Sequence, residues 1–147
     1  MKPLVIVDMQ DYYPAATVNL VDKVLKHITK AKRYKKPIIV LEFRGFGNTK
    51  QLLKDTLASY QDCVYVGKDR CDGSKQVIEA LEQLKVKSKK IQICGVYTSQ
   101  CVNATAHGLY TKGFKVEIIE EACGDSNAIS HDNALKHWSA GNIIKVV

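Results

Sequence analysis

Short apolar runs rich in β-branched residues recur along the chain, and between them apolar positions fall three or four apart. The runs are Leu4–Val7, Ile38–Phe43, Cys63–Val66, Lys90–Val96, Lys115–Ile119 and Ile143–Val147. Their continuity and length predict strands buried on both faces. Asn19–Lys35 sets Leu20, Val21, Val24, Leu25, Ile28 and Ala31 on one helical face, with Asn19 or Thr17 to cap its start. Asn48–Tyr60 reads as a short helix with Leu52, Leu53, Thr56, Leu57 and Tyr60 inward, and Asn48 with Gln51 forms a capping-box pattern. Asp72-Gly73-Ser74 opens a helix whose stripe is Val77, Ile78, Leu81 and Leu84. A helix over Cys101–Lys112 carries the small residues Ala104, Thr105, Ala106 and Gly108, which let it sit close to a sheet, and Gly113 ends it. Ser130 caps a last helix containing Ala134, Leu135 and Trp138, which Gly141 stops.

Six strands alternating with helices predict βαβ units. The expected fold is α/β with three layers, αβα: a six-stranded, mostly parallel, Rossmann-like sheet with helices on both faces. A length of 147 residues suits a single domain over residues 1–147.

Composition removes several function classes. At 46% hydrophobic and 25% charged, the chain is ordinary for a soluble globular protein. No apolar stretch approaches the roughly 20 residues that cross a bilayer, so no membrane association is expected. Met1-Lys2-Pro3-Leu4-Val5-Ile6-Val7-Asp8 is a poor signal peptide, which points to the cytoplasm. Five cysteines, with no CxxC spacing, read as free thiols in a reducing compartment. The four histidines, His27, His107, His131 and His137, form no ligand-spaced cluster with them, so neither a metal nor another cofactor is expected. The net charge of +7 is concentrated in Lys30–Lys36 and Lys85–Lys90, where predicted helices end. Cations there complement the helix dipole, and without interleaved aromatic residues they give no reason to expect nucleic-acid binding. No G-x-G-x-x-G follows the first strand and no G-x-x-x-x-G-K-[ST] occurs, so nucleotide binding lacks its usual support.

Sites in open α/β sheets collect beyond the C-terminal strand ends. Three reactive residues fall there: Asp8 after the first strand, Lys68 after the third and Cys101 just past the fourth. Cys101, at a helix start, suits a nucleophile, with the helix N-terminus and the Lys68 ammonium expected to lower its pKa. Asp8 suits the base that takes the thiol proton and returns it to a leaving group. Backbone N–H groups at the turn suit an oxyanion. Gln10 and Tyr13 are candidates for the pocket wall or for turn packing. Arg44 suits a substrate carboxylate, or an ion pair with Glu42 or Asp11. Cys71, three residues past Lys68, is a second thiol near the site or ordinary packing. His107 reads as a hydrogen-bonded structural histidine, and Phe46 and Trp138 as packing residues.

The same residues carry a resemblance. Val5-Ile6-Val7-Asp8-Met9-Gln10, Gly67-Lys68 followed by Asp72-Gly73-Ser74, Gly95-Val96-Tyr97-Thr98-Ser99-Gln100-Cys101-Val102-Asn103-Ala104-Thr105-Ala106, Gly113-Phe114-Lys115-Val116, Glu121-Ala122-Cys123-Gly124-Asp125 and Ser130–Trp138 resemble the isochorismatase-like cysteine hydrolase superfamily. That superfamily includes nicotinamidases and N-carbamoylsarcosine amidohydrolases. The resemblance implies an Asp8-Lys68-Cys101 triad and a non-proline cis peptide at Val96-Tyr97. It implies an oxyanion hole made by the Tyr97 and Cys101 N–H groups. The implied reaction is attack on an amide or ureido carbonyl, release of the amine and hydrolysis of a thioester. It also implies a homo-oligomer with a small-molecule substrate. Nicotinamidases of the family carry an Asp and histidines for a metal near the second strand. Here that region reads Leu41-Glu42-Phe43-Arg44-Gly45-Phe46-Gly47, without histidine, and the segment from second to third strand is short. The expectation is therefore a metal-independent hydrolase of a small amide or ureido compound. The alternatives are a non-catalytic or regulatory member of the fold, or an isochorismatase-type hydrolase.

Overall fold

The six apolar runs come together in one sheet in a computed structural model that describes residues 2–141 and 144–147. The strands are Leu4–Val7 (β1), Ile38–Phe43 (β2), Cys63–Lys68 (β3), Lys90–Val96 (β4), Lys115–Gly124 (β5) and Lys145–Val146 (β6). They lie in the order β3-β2-β1-β4-β5-β6, and every strand pairing among the described residues is parallel. The helices are Val18–Arg33 (α1), Gln51–Leu57 (α2), Ser74–Gln83 (α3), Asn103–Thr111 (α4) and Ala128–Gly141 (α5). Right-handed crossovers carry α1 and α2 to one face, where they pack together, and α3 and α4 to the other, where they also meet. The central strands β1 and β2 have no polar face to show. All four residues of β1 and the first four of β2 are at most 1% exposed. Burial of each such Val, Leu or Ile contributes roughly 1.5–3 kcal/mol.

The strand order makes the site. From β1 the chain steps outward through β2 to β3; from β4 it steps the other way through β5 to β6. The crevice at this reversal opens beyond the C-terminal ends of β1 and β4, where Val7 pairs with Gly95. Gly95 permits the approach. Its φ is +120°, and a Cβ there would stand 2.1 Å from the Val7 carbonyl oxygen.

Local expectations failed where distant groups took over. The second helix begins at Gln51, not at Asn48. Thr49 donates from its N–H and its hydroxyl to Glu42 Oε2 at 3.0 and 2.6 Å, and Lys50 N–H donates to the Met9 carbonyl at 2.8 Å. These bonds hold residues 48–50 as a loop strapped over β1 and β2, and Leu52 is left 57% exposed. The last helix is capped by Asn127, whose Oδ1 accepts from Ser130 N–H at 2.8 Å, so Ser130 lies inside the helix. β3 and β5 run further than expected, to Lys68 and Gly124, and β5 does so across a register shift opposite Ile93 and Gly95. The expected Cys101–Lys112 helix is a π-helical turn, Thr98–Val102, that runs into α4. Thr17 caps α1 as expected, accepting from Leu20 N–H at 3.2 Å. Ile143, the expected start of the sixth strand, lies outside the described residues.

Candidate active site

Asp8 follows β1 with a φ of +52°, a left-handed conformation that a non-glycine residue adopts only when its surroundings hold it there. Those surroundings are two backbone bonds, from Asp8 N–H to the Leu41 carbonyl at 3.1 Å and from Gln10 N–H to the Asp8 carbonyl at 2.8 Å. The turn directs the carboxylate into the crevice, where Asp8 is 1% exposed. Lys68 ends β3, two strands away, opposite Phe43 of β2. Its stem must span β2, and it passes over the Phe43 ring with Nζ 4.2 Å from the centroid. Nζ then stands 3.0 Å from Asp8 Oδ2 and donates to the Arg70 carbonyl at 2.9 Å. Lys68 is wholly buried. Cys101 enters from the π-helical turn after β4, 6% exposed, beside the Asp8 carboxylate. The three residues placed at strand ends by sequence thus meet at one point.

The electrostatics differ from expectation. Burial, and then the adjacent Asp8 charge, push the Cys101 thiol well above the ordinary thiol range, and the Lys68 ammonium only partly opposes them. The cysteine therefore rests as a thiol, which corrects the reading of a ready-made thiolate. Burial also raises the Asp8 carboxyl, against the opposing pull of Lys68 and of the neighbouring Cys101 thiol. Neither carboxylate oxygen receives a well-aligned hydrogen bond from the described residues. Buried acceptors are rarely left in this state.

Other predicted residues divide. Val96-Tyr97 is a cis peptide. Tyr13 stacks on Phe46 with centroids 5.1 Å apart and meets Tyr97 edge-on at 5.5 Å, while Phe46 meets Phe43 edge-on at 5.0 Å. These four rings form one connected cluster beside Asp8, Lys68 and Cys101. Tyr13 is close enough for Asp8 and Cys101 to add to the burial that raises its hydroxyl. Gln10 does not line a pocket. It is fully buried and accepts from Phe43 N–H at 2.7 Å while donating to the Phe43 and Gly47 carbonyls at 2.8 and 2.9 Å. Arg44 pairs with Asp69, both largely exposed, rather than with Glu42, Asp11 or anything in the crevice. Glu42 is occupied by Thr49, and Asp11 faces Lys50 at 3.7 Å. His107 is exposed, not buried in the helix packing. Cys71 is exposed, and its thiol lies near enough to that of Cys101 to add to the rise of the buried thiol.

Sequence reasoning missed the groups that hold the nucleophile turn. Thr98, wholly buried, donates from Oγ1 to the Gly124 carbonyl at 3.1 Å and meets His131 Nδ1 at 2.7 Å. Asp125 accepts from Ser99 N–H at 2.8 Å. The Glu121–Asp125 segment and α5 thereby clamp the turn from one side. Thr98 and His131 are 33 residues apart, and no spacing in the chain links them. Phe43 was detectable, since it ends its strand beside the end of the next. Cavities of about 600 Å³ lie on either side. One is lined in part by Leu20, Tyr97, Gly124 and Asp125, the other by Cys71, Ser99, Gln100 and Asn103.

The metal that nicotinamidases carry does not fit this donor set. Glu42 is the carboxylate of the Leu41–Gly47 region and is already bonded twice to Thr49. Among the described residues no group of three His, Cys, Asp or Glu side chains converges.

Comparison with known proteins agrees with this architecture. The chain is 26% identical over 138 residues to isochorismatase domain-containing protein 2 of Xenopus laevis, covering 90% of this chain. It spans 64% of that curated relative's length. A nicotinamidase from Staphylococcus aureus superposes with a TM-score of 0.83 at 22% identity, covering 99% of this chain and 98% of the other. The MAR1 ribonuclease from Caenorhabditis elegans superposes with a TM-score of 0.86 at 20% identity, covering 99% and 76%. At such identities the superpositions establish the fold alone. The family model of the isochorismatase domain matches residues 2–145, and with that span, this sheet order and these residues at its reversal, the chain belongs to the isochorismatase family.

Proposed function

We propose that the chain is a hydrolase that cleaves the C–N bond of a small amide or ureido compound through a thioester on Cys101. The observation that carries this reading is the buried cluster of Asp8, Lys68 and Cys101 at the sheet's reversal point. Asp8 keeps carboxylate acceptors free in a dry site, and beside it lies a thiol that must lose a proton to attack. Attack of Cys101 Sγ on the carbonyl carbon sends the thiol proton to Asp8. Asp8 then delivers it to the departing amine, and a water attacks the thioester to release the acid. Lys68 holds a positive charge beside both groups and offsets the cost of the carboxylate in a dry site. The Tyr97 and Cys101 N–H groups take the oxyanion. Tyr13, beside the cluster, contacts the substrate. No step uses a metal or another cofactor.

The test is a screen of nicotinamide, carbamoyl and ureido compounds against the wild type and Cys101→Ala. Ammonia release by the wild type alone is expected; equal release by both removes the reading. The proposal includes one domain over the whole chain, residence in the cytoplasm, and a homo-oligomer. Val18 and Ile129, at the starts of α1 and α5, are apolar residues 77% and 73% exposed at the end of the sheet that carries the site. Sedimentation showing monomer alone at micromolar concentration removes the oligomer. No helix among the described residues is long and apolar enough to cross a membrane.

A second reading has its own observation. With Asp8, Lys68 and Cys101 each at most 6% exposed, the site is closed, as in a family member that binds or regulates without turnover. Absence of turnover with every compound in the screen, together with an unreactive Cys101, would favour it.

A further inference from the structure

Cys71 is not a stray surface thiol. The segment that carries it is held at three points, two of them on the helix that follows the nucleophile. Thr105, one helical turn beyond Cys101 and on the same face, donates from Oγ1 to the Cys71 carbonyl at 3.2 Å and accepts from Gly73 N–H at 2.9 Å. Lys68 Nζ, already paired with Asp8, holds the Arg70 carbonyl at 2.9 Å. The turn and helix also touch where neither tolerates more bulk. A Cβ on Gly108 would stand 2.5 Å from Ser74 Oγ and 2.6 Å from Asp72 Oδ1, and one on Gly73 would stand 2.9 Å from Lys68 Cδ. The result is an exposed thiol on a segment bonded to Thr105, four residues past the buried thiol of Cys101 and on its face of the helix.

We propose that Cys71 and Cys101 form a reversible disulfide driven by a peroxide, which takes the Cys101 sulfur out of the site. Solvent exposure puts Cys71 first. Its thiolate attacks a peroxide oxygen, the S–O bond forms, the O–O bond breaks and water leaves, giving the sulfenic acid at Cys71. Cys101 Sγ then attacks Cys71 Sγ. The S–S bond forms and the S–O bond breaks; Asp8 takes the Cys101 proton and passes it to the departing hydroxyl, which leaves as the second water. Two thiols and one hydrogen peroxide become one disulfide and two waters. The peroxide is reduced by the two electrons that the sulfurs lose. The buried thiol acts as the resolving partner, so an oxidant need not enter the crevice.

This pairing rests on geometry and does not depend on the hydrolase reading. The experiment treats the full chain with hydrogen peroxide, blocks residual thiols and maps cysteine-containing peptides by mass, in the wild type and in Cys71→Ser and Cys101→Ser. A Cys71–Cys101 cross-linked peptide that dithiothreitol reverses is expected, at least about tenfold more abundant than any other cysteine pair, because only neighbouring thiols can close the bond. It is absent from both variants. Recovery of Cys71 as sulfenic or sulfinic acid with Cys101 still a free thiol overturns the proposal, and so does pairing of Cys71 with the other cysteines in equal yield. Since the readout is a peptide mass, its failure is separate from a failure to find a hydrolysed substrate.

Discussion

Two neighbouring thiols behave differently because only one of them meets water. Cys71 is exposed, while Cys101 is buried beside a carboxylate that opposes its ionisation. Iodoacetamide near neutral pH should therefore label Cys71 well before Cys101, the reverse of what a thiolate held at a helix start would do. The cause can be separated from simple occlusion. Asp8→Asn removes the negative charge next to Cys101 and leaves the Lys68 ammonium, so the thiol pKa falls. Cys101 labelling should then speed up by roughly tenfold for each unit of that fall, while turnover is lost with the base. Peptide mapping of labelled wild type and variant checks this. Slower labelling of Cys101 in Asp8→Asn would show that Asp8 does not hold the proton on the sulfur.

At the scale of elements, the junction of β1 and β4 is the part of the fold least open to change. Gly95 and Gly113 both have positive φ, +120° and +90°, so alanine is strained at either. They differ in space, since a Cβ on Gly113 meets nothing within 4 Å and one on Gly95 meets the Val7 backbone. Gly113→Ala should cost about 1–2 kcal/mol by urea unfolding, the price of the conformation alone. Gly95→Ala should cost at least about 4 kcal/mol or fail to fold, because β4 must move off β1. Similar costs at the two positions would refute the close-approach account. The elements that read correctly from sequence were those dictated by short-range pattern. β1, β2 and β4 match residue for residue, because continuous apolar runs bounded by charge or Pro leave no other register. The misread ones were decided elsewhere: the start of α2 by Glu42 and Met9, the start of α5 by Asn127, and the length of β5 by its pairing with the end of β4.

For the whole molecule, the positions of Asp8, Lys68 and Cys101 were legible because strand ends are legible, and a parallel sheet gathers them. Their chemical state was not, since it follows from how deeply the site is buried, and that depends on packing between segments far apart in the chain. The same burial acts on other thiols and has a consequence for stability. Burial raises Cys94 well above its ordinary value of 9.0, pushes Cys123 up to about 12, and raises Cys101 with them. All three hold their protons in the fold at pH values where the unfolded chain has released them. Between 9.0 and the folded values, the folded state binds more protons than the unfolded one. Stability is therefore fully present below the unfolded value and falls as pH rises above it. Each group that titrates only on unfolding contributes a slope of about 1.4 kcal/mol per pH unit. Urea unfolding from pH 8 to pH 10.5 should show a loss that steepens above about pH 9. Cys94→Ala, which removes one such group, should flatten the slope by about 1.4 kcal/mol per pH unit. The comparison is of slopes, so the cavity that the variant leaves cancels. Parallel slopes for wild type and Cys94→Ala would mean that Cys94 ionises in the fold as it does in the open chain, and that the core between β4 and its neighbours is wetter than its packing implies.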